Sequence, residues 1–348
     1  MIVRDTASRG TPSVRPAAVT AALAVSVVGD LAAGFARGES EATDALRALH
    51  GQGAVSFVVF GAERFAPDGD QLGVGDASRR TLVEPGAVAA ARHRVLPEWG
   101  FVLAATPEVD HPYNLARRVA TVDHFTEGRG GVAVGVGSPP RERAVERVAD
   151  AALVLRELWN SWPLASLVAD RDRGVFARTD AVRRIEHRGL FSVDGPLNTP
   201  SSVQGEPVLA WWLTSNAGFD QELVSAGAVA EMLIVPPDRA EPVRRWLGGA
   251  TAPLIFVRRG VGAVADTVAA PLSGAEGASG VLVELGSPEA ARRLHGEIGR
   301  FAPALVGAGD HRGPGARART LRERLGLAPR TIDLGDRPHA LPPERRRS

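Results

Sequence analysis

The chain alternates short, continuously apolar runs with longer stretches in which apolar positions recur every third or fourth residue. The runs are Val19–Val28, Val55–Phe60, Phe101–Ala105, Val132–Val136, Val208–Leu213, Met232–Val235, Leu254–Val257 and Val281–Leu285. Apolar throughout and rich in valine, they predict parallel strands covered on both faces. Between them Val145, Val148, Ala152, Leu155 and Trp159 form one helical stripe, and Ala291, Leu294, Ile298, Phe301 and Leu305 another. The second helix has a legible start: Ser287 as cap, Pro288 in the first turn and Glu289 at the positive helix end. Eight strand-then-helix units predict a single (β/α)8 barrel over residues 1–330, with a doubly wound open sheet as the alternative.

Other stretches break this rhythm. Asn160–Gln204 is long, polar and turn-rich, and predicts an excursion between the fourth and fifth strands. Gly307–Arg319 reads as an exposed loop before a last short helix, and residues 331–348 as a disordered tail, most plainly from Arg337 onward. Pro16–Ala36, with Arg15 ahead of it, has the outline of a weak signal peptide. Asp30 interrupts it and Gly29 reads as a strand end, so a cytoplasmic protein is expected. No apolar run reaches the roughly 18 residues of a membrane span.

Composition narrows the chemistry. The 348 residues are 44% hydrophobic, enough for a large core. All 41 basic residues are arginine, which removes Schiff-base and phosphate-loop lysines. The 40 acidic residues balance them, so no net field gathers nucleic acid. Absence of cysteine removes thiolate nucleophiles, Fe–S clusters and disulfides. The 8 histidines show no zinc spacing, so no metal is expected, and no G-x-S-x-G elbow is present.

Three clusters carry candidate chemistry. Thr214-Ser215-Asn216-Ala217-Gly218 follows the fifth strand and opens a helix; hydroxyls and free helix N–H groups there suit a dianion or serve as an ordinary cap. Gly135-Val136-Gly137-Ser138, followed by Pro139, Pro140 and Arg141, ends the fourth strand. Its glycines let backbone approach a ligand, with Arg141 and Arg143 either assisting an anion or standing in solvent. His111, with Glu108 and Asp110, follows the third strand; it is a candidate proton donor or simply the residue before a helix begun by Pro112. Asp123-His124 reads as a helix-end charge pair.

Segments of the chain also resemble one family. They are His111–Arg118 with Asp123-His124-Phe125 and Gly128-Arg129, then Glu157–Trp162, Gly189–Asn198 and Thr320–Leu327. In this order they are similar to the nitrilotriacetate and desulfurisation monooxygenase branch of the luciferase-like flavin enzymes, from about Ala42 to Pro329. The resemblance implies a barrel that takes reduced FMN from a separate flavin reductase, uses oxygen to oxidise a small organic substrate, and forms homo-oligomers. On the strand-end positions read above, Thr106, Gly135, Gly137, Ser138, Thr214, Ser215 and Gly218 are the expected cofactor wall, with His111 as candidate proton donor.

The pocket departs from the family pattern more than the scaffold does. Trp211, Trp212 and Leu213 stand where the family has a Gln-Ala-Gly turn, and both indoles are expected to narrow the pocket. Val132 and Ala133 replace a Trp-Asn strand, and Thr106-Pro107-Glu108-Val109 replaces a Thr/Tyr-rich wall. The family's long insertion after the fourth strand, with its phosphate-binding tyrosine, is missing; Val145 stands near that place and Tyr113 is the sole tyrosine. Two other readings therefore stay open: a catalytically silent barrel acting as partner subunit or small-molecule binder, and an oxidoreductase using F420, whose superfamily the Gly135–Ser138 segment resembles.

Overall fold

The computed structural model describes residues 22–65, 83–138, 140–214, 218–247, 253–261, 278–305, 320–335 and 337–340. Eight parallel strands form a closed ring: β1 (Ala22–Val27), β2 (Val55–Phe60), β3 (Gly100–Ala105), β4 (Gly130–Gly135), β9 (Val208–Trp212), β10 (Met232–Val235), β11 (Leu254–Gly260) and β12 (Gly280–Leu285). β12 pairs back onto β1 from Ala22↔Gly280 to Val27↔Leu285, which excludes the open-sheet alternative. Every expected run became a strand, shifted by a few residues at most.

Along each strand alternate side chains face in and out. In β9, Leu209 and Trp211 pack outward among the helices, while Val208, Ala210 and Trp212 fill the interior. The outer layer comprises α1 (Gly29–Arg37), α2 (Ser40–Gly51), α3 (Pro85–Arg92), α4 (Pro112–Phe125), α5 (Ala144–Asn160), α6 (Phe219–Val229), α7 (Ala240–Leu247) and α8 (Pro288–Leu305). The expected stripe of α8 is buried at Ala291, Leu294 and Ile298, and Ala290 N–H donates to the Ser287 hydroxyl, as a capping serine should arrange. No helix among the described residues is long and apolar enough to cross a membrane.

The amino-end face is sealed by a short helix, α9 (Leu321–Arg324), begun by a capping box of Thr320 and Glu323. Leu321 rises into the barrel against Gly100 and Gly131; a Cβ on Gly100 would stand 2.6 Å from its Cδ1. Next to it Arg322, 2% exposed, donates to both oxygens of Glu231 and to the Glu206 carbonyl. Glu206 in turn accepts from Arg156 Nε at 2.9 Å and Asn160 Nδ2 at 2.8 Å.

Asp123 does not form the helix-end charge pair with His124 expected from sequence. It is fully buried, and its Oδ1 accepts from Gly130 N–H and Gln204 Nε2, both at 2.7 Å. His124 instead meets the Pro200 carbonyl at 3.0 Å. Burial pushes the Asp123 carboxyl up to about 6, against the lowering effect of its hydrogen bonds to Ser202, Gln204 and Gly130.

The excursion contains two hairpins, β5 (Leu167–Asp170) with β6 (Val175–Ala177) and β7 (Glu186–Arg188) with β8 (Ser192–Asp194). Asp150 of α5 anchors it, receiving Phe191 N–H and contacting His187 Nε2, each at 2.8 Å. The chain expected as a tail from residue 331 is fastened to this excursion. Ile332 N–H donates to Asn160, Arg184 N–H to Pro338, and Ala340 N–H to Val182. Apolar content is a poor guide here, because backbone hydrogen bonds hold the segment. Residues 341–348 and the Gly307–Arg319 loop lie outside the described residues.

Arg322→Ala should cost about 3 kcal/mol in a urea titration, since it strands a buried carboxylate; Arg330, with Nη1 3.4 Å from Glu231, compensates in part. A carboxyl whose folded pKa is raised stabilises fully below its unfolded value and loses that contribution as pH rises through the folded value. For Asp123 this predicts a loss of about 3 kcal/mol between roughly pH 4 and pH 6. Asp123→Asn should flatten that part of the stability–pH profile.

Candidate active site

In a parallel barrel, side chains that leave the strands at the carboxyl end converge on one rim. At the end of β3, the Thr106 hydroxyl donates to Glu108, and the Asp110 amide folds back onto the Thr106 carbonyl at 2.9 Å. Asp110, 4% exposed, holds two guanidiniums: Arg64 Nη1 at 3.1 Å and Arg118 Nη1 at 2.7 Å. Arg64 belongs to a segment after β2, Gly61–Phe65, that crosses the rim as a strap. Glu63 accepts from Gly29 N–H at 2.9 Å, Phe65 bridges Gly137 in antiparallel fashion, and Ser138 N–H donates to the Arg64 carbonyl. Gly61 starts the strap at φ +87°, a conformation that favours glycine.

The strap fills the space left by Gly135, the last residue of β4, where a Cβ would stand 2.9 Å from two Phe65 ring atoms; at Gly137, just after the strand, a Cβ would stand 2.7 Å from Thr106 Oγ1. The backbone approach anticipated for a ligand is thus made by the protein itself. Phe65 stacks on Trp212 with centroids 5.0 Å apart and planes 24° apart, and Arg258 Cζ lies 4.6 Å from the Trp212 ring centroid. Arg258 Nη2 also donates to the Leu213 carbonyl. Only one indole narrows the mouth, because strand alternation turns Trp211 outward, where its Nε1–H donates to Glu222 at 3.0 Å.

Thr214 has no free donor. Its amide and hydroxyl both bond Glu222 Oε2, at 3.2 and 2.9 Å. Burial raises the pKa of Glu222, opposed by hydrogen bonds from Trp211 and Thr214 and by the nearby Arg258. Asp220 and Glu222 in the first turn of α6 further disfavour a dianion at that helix end. Gly218 caps α6 at φ +100° with no described atom within 4 Å of its missing side chain; Ser138 is exposed. Ser215 and Pro139 lie outside the described residues.

His111 caps α4: Nδ1 accepts from Tyr113 N–H, so Nε2 carries the proton of the neutral ring. Its ring stands edge-on to Phe191 of the excursion, 6.0 Å away. Two cavities among the described residues are lined by helix and excursion residues and not by the strand ends. One of about 460 Å³ lies between α3 and α4 beside Arg117 and Arg118. Another of about 410 Å³ lies in the excursion among Trp162, Phe176 and Leu197.

The residues assigned to FMN do not fit it where the resemblance would seat it. The donors of Thr214 are taken at the phosphate end, and the face of Gly135 is filled at the ring end. Sequence reasoning passed over Arg64, Phe65, Glu222 and Arg258. Only Glu222 left a readable sign, a carboxylate in the first turn beside a proposed anion site.

No family model matches the chain. Dibenzothiophene-sulfone monooxygenase of Rhodococcus erythropolis is 34% identical over 158 residues, 40% of this chain and 35% of that protein. A pristinamycin IIA synthase polypeptide of Streptomyces pristinaespiralis is 34% identical over 128 residues, 36% of this chain and 45% of that protein. The chain spans less than half the length of these relatives. EDTA monooxygenase from Chelativorans sp. BNC1 shares the fold with TM-score 0.62 at 19% identity, over 89% of this chain and 99% of that one. The closed parallel ring with its flanking helices is a luciferase-like (β/α)8 barrel. The chain's homologues are luciferase-like monooxygenases, the nitrilotriacetate and dibenzothiophene-sulfone monooxygenases among them, and its structural neighbours match that superfamily in fold.

Thr214→Val, which deletes a hydroxyl donor to Glu222, should lower stability by about 1 kcal/mol. It should leave the ratio of FMN to riboflavin affinity unchanged, because that hydroxyl does not serve a phosphate. Denaturant unfolding and paired flavin titrations check both parts.

Proposed function

We propose that this chain is the oxygenase of a two-component, flavin-dependent monooxygenase, acting with O2 and reduced FMN from a separate flavin reductase on a small organic substrate. The supporting observation is the conjunction of a complete luciferase-like barrel with 34% identity to a sulfone monooxygenase over 158 residues. In this reading the strap and Trp212 wall the reaction space, and Asp110 fixes the strap through Arg64. Ser138 and Gly218, with Ser215, are the assigned residues left for the cofactor's polar end, and His111 is the proton donor. In this reading the protein works in the cytoplasm, in keeping with the interrupted apolar run at Asp30, and as a homo-oligomer, as the resemblance implies.

A second reading has a specific observation behind it. The Thr214–Glu222 pairing and the filled face of Gly135 favour a barrel that carries no flavin and serves as partner subunit to one that does. One of the relatives is itself named as one subunit among those of a synthase.

Anaerobic titration of the purified protein with reduced FMN, FMN and F420, followed by quenching of its tryptophan fluorescence, separates these readings. The oxygenase reading expects saturable, micromolar binding of reduced FMN, worth about 8 kcal/mol. Tighter binding of F420 would assign the barrel to that cofactor, and binding of none of the three would assign it to the partner role.

A further inference from the structure

The excursion contains a cavity of its own, away from the strand ends. It measures about 410 Å³ and lies between the β5–β6 hairpin and the segment around Leu197. Val182 and Leu197, both buried, line it together with the rings of Trp162 and Phe176. Its walls are held by bonds that leave the interior free. Leu197 N–H donates to Ser161 Oγ at 2.9 Å, and the Pro196 carbonyl accepts from the Tyr113 hydroxyl of α4 at 3.3 Å. Trp162 Nε1 donates to Ser166 Oγ at 3.0 Å, so its indole brings ring surface and no spare donor.

Charge, hydrogen bonding and size define what fits. No lining residue is charged, so an ion entering would lose its hydration with no counter-charge in return. Thr179 and Asn198 also line the cavity, and neither side chain has a hydrogen-bond partner among the described residues. A hydroxyl or amide on a guest could both donate to and accept from that pair. A cavity of about 150 Å³ holds one benzene ring, and ligand pockets begin at roughly 300 Å³, so this one suits about two fused rings.

The chain itself passes close by, because Ala340 N–H donates to the Val182 carbonyl. The residues that follow in sequence are Leu341, Pro342 and Pro343. They carry no polar side chain and the prolines no N–H, and so answer Thr179 and Asn198 less well than a hydroxyl does.

We propose that the excursion cavity is a second small-molecule site, for an uncharged guest of about two fused rings bearing one hydroxyl or amide. It stands apart from the flavin reading, since no strand-end residue lines it.

The probes are 2-naphthol, which is neutral, and 2-naphthoate, which is an anion at neutral pH, each titrated calorimetrically into the full chain. 2-Naphthol is expected to bind saturably, one per chain, and 2-naphthoate at least about tenfold more weakly. Ala177→Trp, which fills the cavity from β6, should weaken 2-naphthol at least about tenfold, and Asn198→Leu about threefold. Phe176→Asp, at a residue 65% exposed, sets a charge at the cavity and serves should the tryptophan variant fail to fold. Urea midpoints check the folding of each variant. Equal binding by wild type and folded variants, equal binding of both probes, or no binding at all would overturn the site. Binding by Leu341→Asp alone would give the cavity to the chain's own continuation. An affinity that falls as protein concentration rises would give it to a second copy of the chain. Either result overturns the small-molecule assignment.

Discussion

A ring of eight parallel strands encloses an interior of fixed width, and the strands stay closed only if side chains fill it from end to end. This chain solves the problem with β4. Gly130 and Gly131 at its start admit Asp123 and Leu321, and Gly135 at its end admits Phe65. A methyl group at any of these positions would collide with a buried group or force it to move, at Gly130 with Asp123 backbone itself. The strand that looked in sequence like a ligand platform is the one on which both ends of the barrel are sealed.

The two ends are sealed by different physics. At the amino end, Arg322, Glu231, Glu206, Arg156 and Asn160 form a connected, mostly buried set of charge-assisted hydrogen bonds. An all-arginine complement of bases suits such a site, since a planar guanidinium can satisfy two oxygens at once and is less costly to desolvate than an ammonium. At the carboxyl end the seal is a ring stacked on a ring, with the Arg258 guanidinium over the same indole and the strap fastened at Asp110. Losing one partner from the first arrangement leaves a buried charge uncompensated. Losing one from the second leaves an apolar gap.

The strands were legible because a buried parallel strand is a local signal: Val55–Phe60 and Met232–Val235 were read residue for residue from apolar runs alone. The capped start of α8 was legible for the same reason, since Ser287, Pro288 and Glu289 act on their own turn. The site was not, because its decisive contacts join residues far apart in the chain. Phe65 meets Gly137 and Trp212, and Arg258 reaches back to Leu213. Thr214 looked like a ligand donor because its own surroundings, a hydroxyl before a helix, are those of an anion site. Glu222, two turns on, decides otherwise. The tail was misread for a similar reason, since Ala340 is held by Val182, far back in the chain.

The segments through which the chain resembles the monooxygenases run from one end of the barrel to the other. His111–Arg118, Asp123–Phe125 with Gly128 and Arg129, Glu157–Trp162, Gly189–Asn198 and Thr320–Leu327 fall on α4 and the turn after it, the end of α5, the excursion and α9; His111 at the start of α4 meets Phe191 of the excursion, whereas α9 seals the amino-end face. Trp159 there donates to the Ala116 carbonyl, and Arg322 N–H lies 3.4 Å from Oε1 of Gln204, whose Nε2 donates to Asp123. In such a lattice each side chain satisfies another buried group, so a change at one position demands a change at its partner. Among the described residues the rim has its own paired groups, Asp110 with Arg64 and Arg118 and Glu222 with Trp211 and Thr214, so the same coupling of changes applies there.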